Sequence, residues 1–137
     1  GMTKRTTRVV IDTNIWLSYM LGGFCFRYLQ KILLNKHIVI LISDKLKEEI
    51  IQIILSPKFL GRFSTRQIDD LHYILNYRTI NVRVTSKVKI CRDKNDDFLL
   101  ALSKDGNADF LISGDKDILE IGFFHKVKIV SLKYFIE

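Results

Sequence analysis

The chain of 137 residues predicts an α/β fold, a three-layer α/β/α sandwich with helices on both faces of a central parallel sheet. Three observations carry that expectation. Continuous β-branched runs, residues 8–11 and 37–42 above all, read as strands buried on both faces, the pattern of parallel rather than antiparallel sheets. Longer segments with apolar residues at helical spacing lie between such runs. Strand and helix patterns then alternate along the chain, the order of βαβ crossovers. These crossovers are right-handed, so the carboxyl ends of the strands share one edge, where open α/β sheets bind ligands.

Taken in order, residues 8–11 (RVVI) form the first strand. Residues 15–21 suit a helix, which Gly22 and Gly23 break, and residues 26–34 resume helical spacing through Leu29, Ile32 and Leu33 as far as Asn35. After the strand at 37–42, Ser43 or Asp44 caps a helix running to about Leu55, where Ser56-Pro57 stops it. Ser64-Thr65-Arg66-Gln67 has the form of a capping box, with Ile68, Leu71, Ile74 and Leu75 at helical spacing behind it. Residues 81–85 alternate weakly and predict a strand. A helix is expected from Asp96 to about Lys104, strands at 109–113 and 127–130, and a short helix at 132–136 covering the sheet's edge. No linker, repeat or low-complexity segment interrupts this order, so residues 2–137 are expected to form one domain. Gly1, ahead of Met2, reads as the scar of a removed tag.

Composition narrows the function classes. With 47% hydrophobic and 27% charged residues the chain is an ordinary globular one. No apolar run approaches the ~18 residues of a membrane span, and Asp12 and Asn14 interrupt the stretch after Lys4, Arg5 and Arg8 that would otherwise resemble a signal peptide. A soluble cytoplasmic protein with no membrane role is the expectation. Cys25 and Cys91 are too few for a disulfide framework or a zinc site, and His37, His72 and His125 are dispersed, with no Ser or Cys in a nucleophilic arrangement.

The acids stand out against a basic background of net charge +7. Asp12 directly follows the first strand, and Asp115 and Asp117 follow the run Phe110-Leu111-Ile112-Ser113-Gly114, so parallel topology brings Asp12 and Asp115 to the same edge. Each alone is as readily a helix cap or turn residue. On the helix after the second strand, Glu49 lies three residues past Leu46 and four before Ile53, on the border of the buried side, whereas Glu48 falls on the opposite side. Asp96 and Asp97 open an apolar helix; one caps it and complements its dipole while the other points into the cleft, and Asp93 in the preceding loop could do either. Two carboxylates ~4 Å apart repel by about 4 kcal/mol at an effective dielectric near 20, so a cluster calls for a divalent cation. With five clustered acids set aside, 22 bases face 10 acids, a net +12 that suits a polyanionic substrate.

Val9-Val10-Ile11-Asp12-Thr13-Asn14 resembles the opening motif of PIN-domain nucleases. Asp96-Asp97-Phe98-Leu99-Leu100-Ala101-Leu102 is similar to their third acidic motif, and Ser113-Gly114-Asp115-Lys116-Asp117-Ile118-Leu119 to their "TGDKDLL" motif. Glu49 stands in the place of their second acid. Ser56-Pro57-Lys58-Phe59 and the ending Val130-Ser131-Leu132-Lys133-Tyr134-Phe135 resemble a bacterial branch of putative toxin–antitoxin toxins, VapC-like. Ser113 replaces the usual Thr, Lys94-Asn95 a usual Pro-Asp type sequence and Ser103 an Ala, and no carboxylate is lost.

The resemblance implies a PIN-like fold and a Mg2+- or Mn2+-dependent endoribonuclease, the toxin of a toxin–antitoxin pair, with one or two ions, an antitoxin partner and a homodimer. It assigns Asp12, Glu49, Asp97 and Asp115 as catalytic metal acids, Asp117 as a further metal group, and Asn14, Ser113 and Asp96 as auxiliary residues. Oxygen ligands agree with hard cations. Arg92 and Lys94 abut the acidic loop and are expected to contact phosphate, with Arg27, Lys58 and Arg62 as further nucleic-acid contacts. A non-catalytic RNA- or protein-binding module and a DNA-directed nuclease are the alternatives. A receiver-type phosphoacceptor would need an Asp ending the strand at 81–85, which has none.

Overall fold

The computed structural model describes residues 6–137; Gly1, read above as a tag scar, and the basic residues Lys4 and Arg5 lie outside them. The elements are β1 (Thr7–Ile11), α1 (Thr13–Leu21), α2 (Gly23–Leu34), β2 (Ile38–Ile42), α3 (Asp44–Ile54), a 3-10 turn (Pro57–Phe59), α4 (Thr65–Tyr77), β3 (Ile80–Asn81), α5 (Lys94–Asp105), β4 (Phe110–Ile112), α6 (Lys116–Ile121), β5 (Phe123–Phe124), β6 (Val127–Val130) and α7 (Leu132–Ile136). They form a sheet ordered β3-β2-β1-β4-β6-β5, parallel in every pairing except the terminal β5–β6. With its flanking helices this is the expected α/β/α sandwich.

Register fixes the edge that matters. Val9 lies opposite Ile40 on one side and Phe110 on the other, and Ile11 lies opposite Ile112. The runs read as doubly buried strands are so: Val9, Val10, Ile11, Leu41, Ile42, Leu111 and Ile112 are at most 1% exposed. Helix α5 packs on β1 and β4, while α1 packs on α2 and α3. The capping box forms as expected, with the Ser64 hydroxyl accepting from the Gln67 amide and the Gln67 side chain accepting from the Ser64 amide. Among the described residues no helix is long and apolar enough to cross a membrane.

Four expectations change. The strand at 81–85 shrinks to Ile80–Asn81: after Val82 donates to the Ile42 carbonyl, the Thr85 and Ser86 amides turn to the Asp105 carboxylate, so the ladder stops. The chain then runs without regular secondary structure to Ile90. A short antiparallel strand, β5, forms at the sheet's edge, where Phe123–Phe124 is too brief for periodicity to announce it. Asp93 caps α5, rather than Asp96 or Asp97, and Asp115 caps α6. Finally, α7 meets an interior strand of the sheet: Phe135 packs edge-on against Phe110 of β4.

Gly106, at the end of α5, is required by close approach. A Cβ there would sit 2.8 Å from Leu41 Cδ1 and 3.2 Å from both Val82 Cγ2 and the Leu102 carbonyl. Its carbonyl also accepts from Arg8 Nε at 3.0 Å, tying the helix end to β1. Gly106→Ala is therefore expected to destabilise the fold by about 1–3 kcal/mol through overpacking, read as a lower urea midpoint at unchanged slope.

Candidate functional site

At the carboxyl edge β1 and β4 deliver their acids side by side. The Asp12 amide donates to the Ile112 carbonyl at 2.9 Å, so Asp12 emerges level with the end of β4. There the Ser113 hydroxyl donates to Asp12 Oδ2 at 2.7 Å and accepts from the Asp115 amide at 3.0 Å. One hydroxyl thus joins the two strand ends. Asp115 also caps α6, accepting from the Asp117 amide at 2.9 Å. Asp12 is buried, and desolvation raises its pKa above the ordinary carboxylate value, with the Ser113 bond as the chief counterweight and Asp115 adding repulsion.

Helix α3 brings Glu49. Leu46, Ile50 and Ile54 are buried on its inner side and Glu49 borders them, half-buried, while Glu48 is exposed and accepts from the Gln52 amide group. Desolvation raises the Glu49 pKa, Asp12 and Asp93 add to the rise, and Lys45, one turn earlier, opposes it.

The two neighbouring acids of α5 point different ways. Asp96 is buried toward the other carboxylates, and its pKa rises to about 6, first from desolvation and then from repulsion by Asp115, Asp93, Asp12 and Asp117. Asp97, expected among the metal acids, is turned outward: its Oδ1 accepts from the amides of Ile90 at 3.0 Å and Cys91 at 2.8 Å. The Ile90 bond in particular holds the Asp97 pKa below the ordinary value. Successive helical residues are rotated by ~100°, so both cannot face one cleft. The signal was present in sequence: Asp96, Leu99, Leu100 and Ser103 share one helical face, and all are buried. The face of Asp97 shares Leu100, carries Ala101, also buried, and ends at exposed Lys104.

Asp12, Glu49, Asp93, Asp96 and Asp115 line one cavity of about 190 Å3 together with Asn14 and Asn95, and among the described residues no basic side chain lines it. Asp117 lies beyond Asp96, in a neighbouring recess with Arg92 and Glu120. Among the described residues no three of these groups converge into a ready ion cage; they ring the cavity. The donor set nonetheless fits a hard divalent cation, since it is all oxygen and three of its acids are raised by burial and mutual repulsion. The larger cavity, about 810 Å3 against the starts of β1 and β2 and helix α7, holds none of the expected site residues.

Of the expected phosphate contacts, Lys94 and Arg92 line a groove beside this cavity. Arg27, Lys58 and Arg62 line neither; Lys58 lies over the Phe59 ring. Phe26, near Arg27, stacks on Tyr19 at 5.1 Å, and Phe24 packs edge-on against Tyr28. Both thiols are free, and burial raises their pKa, that of Cys91 to about 12, with Asp97 adding to the rise.

The family model of the PIN domain matches residues 8–117. The crystal structure of PAE2754 from Pyrobaculum aerophilum is similar with a TM-score of 0.59 at 11% identity, covering 96% of this chain and 87% of that one. That of FitAcB from Neisseria gonorrhoeae is similar with a TM-score of 0.53 at 13% identity, covering 92% of this chain and 99% of that one. At such identities the likeness is one of fold. No curated protein matches the chain.

The raised Asp96 pKa sets a pH dependence. Its carboxyl titrates near ~3.9 in the unfolded chain and near about 6 in the fold. Between those values the folded protein holds more protons, so stability falls as pH rises from about 4 to about 6 and stays lowered above. Asp96→Asn is expected to raise the metal-free melting temperature at pH 7.5 by about 3–8 °C, on the order of 1–2 kcal/mol. Asp97→Ala, which strips two amides of their acceptor, is expected to lower it. Thermal melts at pH 4 and 7.5 check both.

Proposed function

This chain belongs to the PIN domain family, and on that premise we propose that it is a metal-dependent endoribonuclease, the toxin component of a toxin–antitoxin pair, hydrolysing RNA phosphodiester bonds in the cytoplasm. The observation that carries the reading is the cavity itself. Carboxylates from the end of β1, from α3, from the start of α5 and from the end of β4 meet at one edge of the sheet with no basic group among them.

Asp12, Glu49, Asp96 and Asp115 would hold Mg2+ or Mn2+, as one ion or two, with Asp96 in place of the expected Asp97 because it lines the cavity. When bound, such an ion lowers the pKa of a water and stabilises charge in an in-line displacement at phosphorus. The protein's own groups do the positioning. Ser113 orients Asp12 and fixes its distance from Asp115. Asn14, exposed at the cavity mouth, is placed to meet a phosphate oxygen or a water. Asp117 adds negative charge from the far side of Asp96. Asp97 leaves the metal set and serves to position the loop before α5. Exposed Phe24 and Leu34 on α2 and Tyr73 and Tyr77 on α4 supply apolar surface for the antitoxin or for a second copy of the chain.

Incubation of labelled RNA and DNA oligonucleotides with the protein and Mn2+ or Mg2+ tests this. RNA cleavage is expected, abolished by EDTA. Asp12→Asn and Asp96→Asn are each expected to slow it by about 100-fold or more, and Asp97→Asn by only a few-fold. Equal activity in wild type and Asp12→Asn would expose a contaminant and end the claim. Cleavage of DNA alone would select the DNA-directed alternative, and metal-independent binding without cleavage the non-catalytic one.

A further inference from the structure

Beside the acidic cavity lies a recess of opposite character. A groove of about 650 Å3 is lined by Lys45, Lys87, Lys89, Arg92 and Lys94, five exposed cations, with Phe98, Cys91 and Val88 among its apolar lining. Its single acid is Asp97, whose carboxylate is occupied by the amides of Ile90 and Cys91. The two recesses adjoin on both sides of α3 and α5. Lys45 lies one helical turn before Glu49 and acts on its charge, and Asp97, which lines the groove, follows Asp96, which lines the cavity.

The groove is built rather than incidental. The segment from Val82 to Ile90 has no regular secondary structure, yet it is tied down at both ends by α5. Asp105 accepts from the Thr85 and Ser86 amides and the Ser86 hydroxyl, and two turns earlier Asp97 accepts from Ile90 and Cys91. Between these anchors burial alternates: Val84, Ser86 and Val88 are half-buried, while Thr85, Lys87 and Lys89 are exposed. Lys87 and Lys89 therefore stand on the same outward side, ~6.6 Å apart along extended chain. Across the groove Lys45 Nζ is held 4.3 Å from the centre of the Phe98 ring.

We propose that this groove seats a single-stranded polynucleotide, its phosphates meeting Lys45, Lys87, Lys89, Arg92 and Lys94 while the next phosphodiester along the strand reaches the acidic cavity; this rests on the nuclease reading above. A cavity ringed by carboxylates repels a phosphate, and the Debye length of ~8 Å at physiological salt requires compensating charge close by. These five side chains supply such charge in the adjoining recess. The recess also selects the form of the strand. A duplex carries its phosphates on a stiff convex surface, whereas an unpaired strand can lay its backbone into a groove and turn a phosphodiester into a cavity of about 190 Å3.

The test is fluorescence anisotropy in EDTA, where cleavage is absent, with labelled single-stranded RNA, single-stranded DNA and an RNA duplex of equal length across a salt series. Wild type is expected to bind single strands at least about ten-fold more tightly than duplex. Lys87→Ala/Lys89→Ala is expected to weaken single-strand binding about ten-fold or more and to flatten the log K against log salt slope by about 1.4, two phosphate contacts' worth. Lys133→Ala, on the exposed side of α7, is expected to bind as wild type. Tighter binding of either RNA or DNA supports the groove and names its source. Unchanged affinity and slope in the double variant, duplex bound as tightly as single strand, or no salt-sensitive binding overturns it. Binding that holds while the cleavage assay fails overturns the nuclease reading alone, and cleavage that persists while binding is indifferent to the lysines overturns the groove alone.

Discussion

Repulsion between carboxylates in a poorly solvated recess is the constraint around which the carboxyl edge of this sheet is organised. Parallel pairing of β1 with β4 leaves no freedom over where Asp12 and Asp115 emerge. The fold meets the resulting cost locally, with donors that stabilise charge in place. The Ser113 hydroxyl serves Asp12, and the Asp117 amide at the start of α6 serves Asp115. Among the described residues Asp96 has no such donor, and its pKa rises to about 6. Asp96 carries repulsion from Asp115, Asp93, Asp12 and Asp117 together.

Much of this was legible in the chain because the relevant forces are local or periodic. The strands at β1, β2 and β6 follow from β-branched runs, the start of α4 from its capping box, and the inward turn of Glu49 from helical phase. Topology then brought Asp12 and Asp115 together without any side-chain information. What was not legible depended on partners distant in sequence. Residues 81–85 have strand-like alternation, yet after Val82 the ladder ends and the amides of Thr85 and Ser86 answer to Asp105, about twenty positions on. Nothing local distinguishes that fate from a sheet ladder. The β5 pairing is likewise set by β6, and two residues carry no period.

Asp96 and Asp97 are a different case, since helical phase could have separated them as it separated Glu48 from Glu49. The resemblance names Asp97 for the metal set, and the expected helix start left open which of the two acids is the cap. If α5 begins at Asp96, one of the pair serves as its cap and the phase of the other is uncertain; once Asp93 is the cap and Lys94 the first helical residue, both acids are inside the helix and their faces follow. Inside a helix each residue turns the side chain by ~100°, so two neighbouring acids serve different surroundings.

That turn is also what separates the two charge regimes of the molecule. On one side of α5, Asp96 adds a carboxylate to a cavity with no basic lining; on the other, Asp97 and Asp105 spend their charge on backbone amides and hold a lysine-bearing segment beside it. A carboxylate bonded to amides has its charge partly matched by their dipoles, so it contributes little repulsion to an anion in the groove. Had Asp97 faced the cavity, the acids there would have been more crowded and the loop from Val82 to Cys91 would have lost one of its two anchors. Adjacent residues of like charge can thus do opposite electrostatic work when a helix rotates one toward its own kind and the other toward unpaired N–H groups.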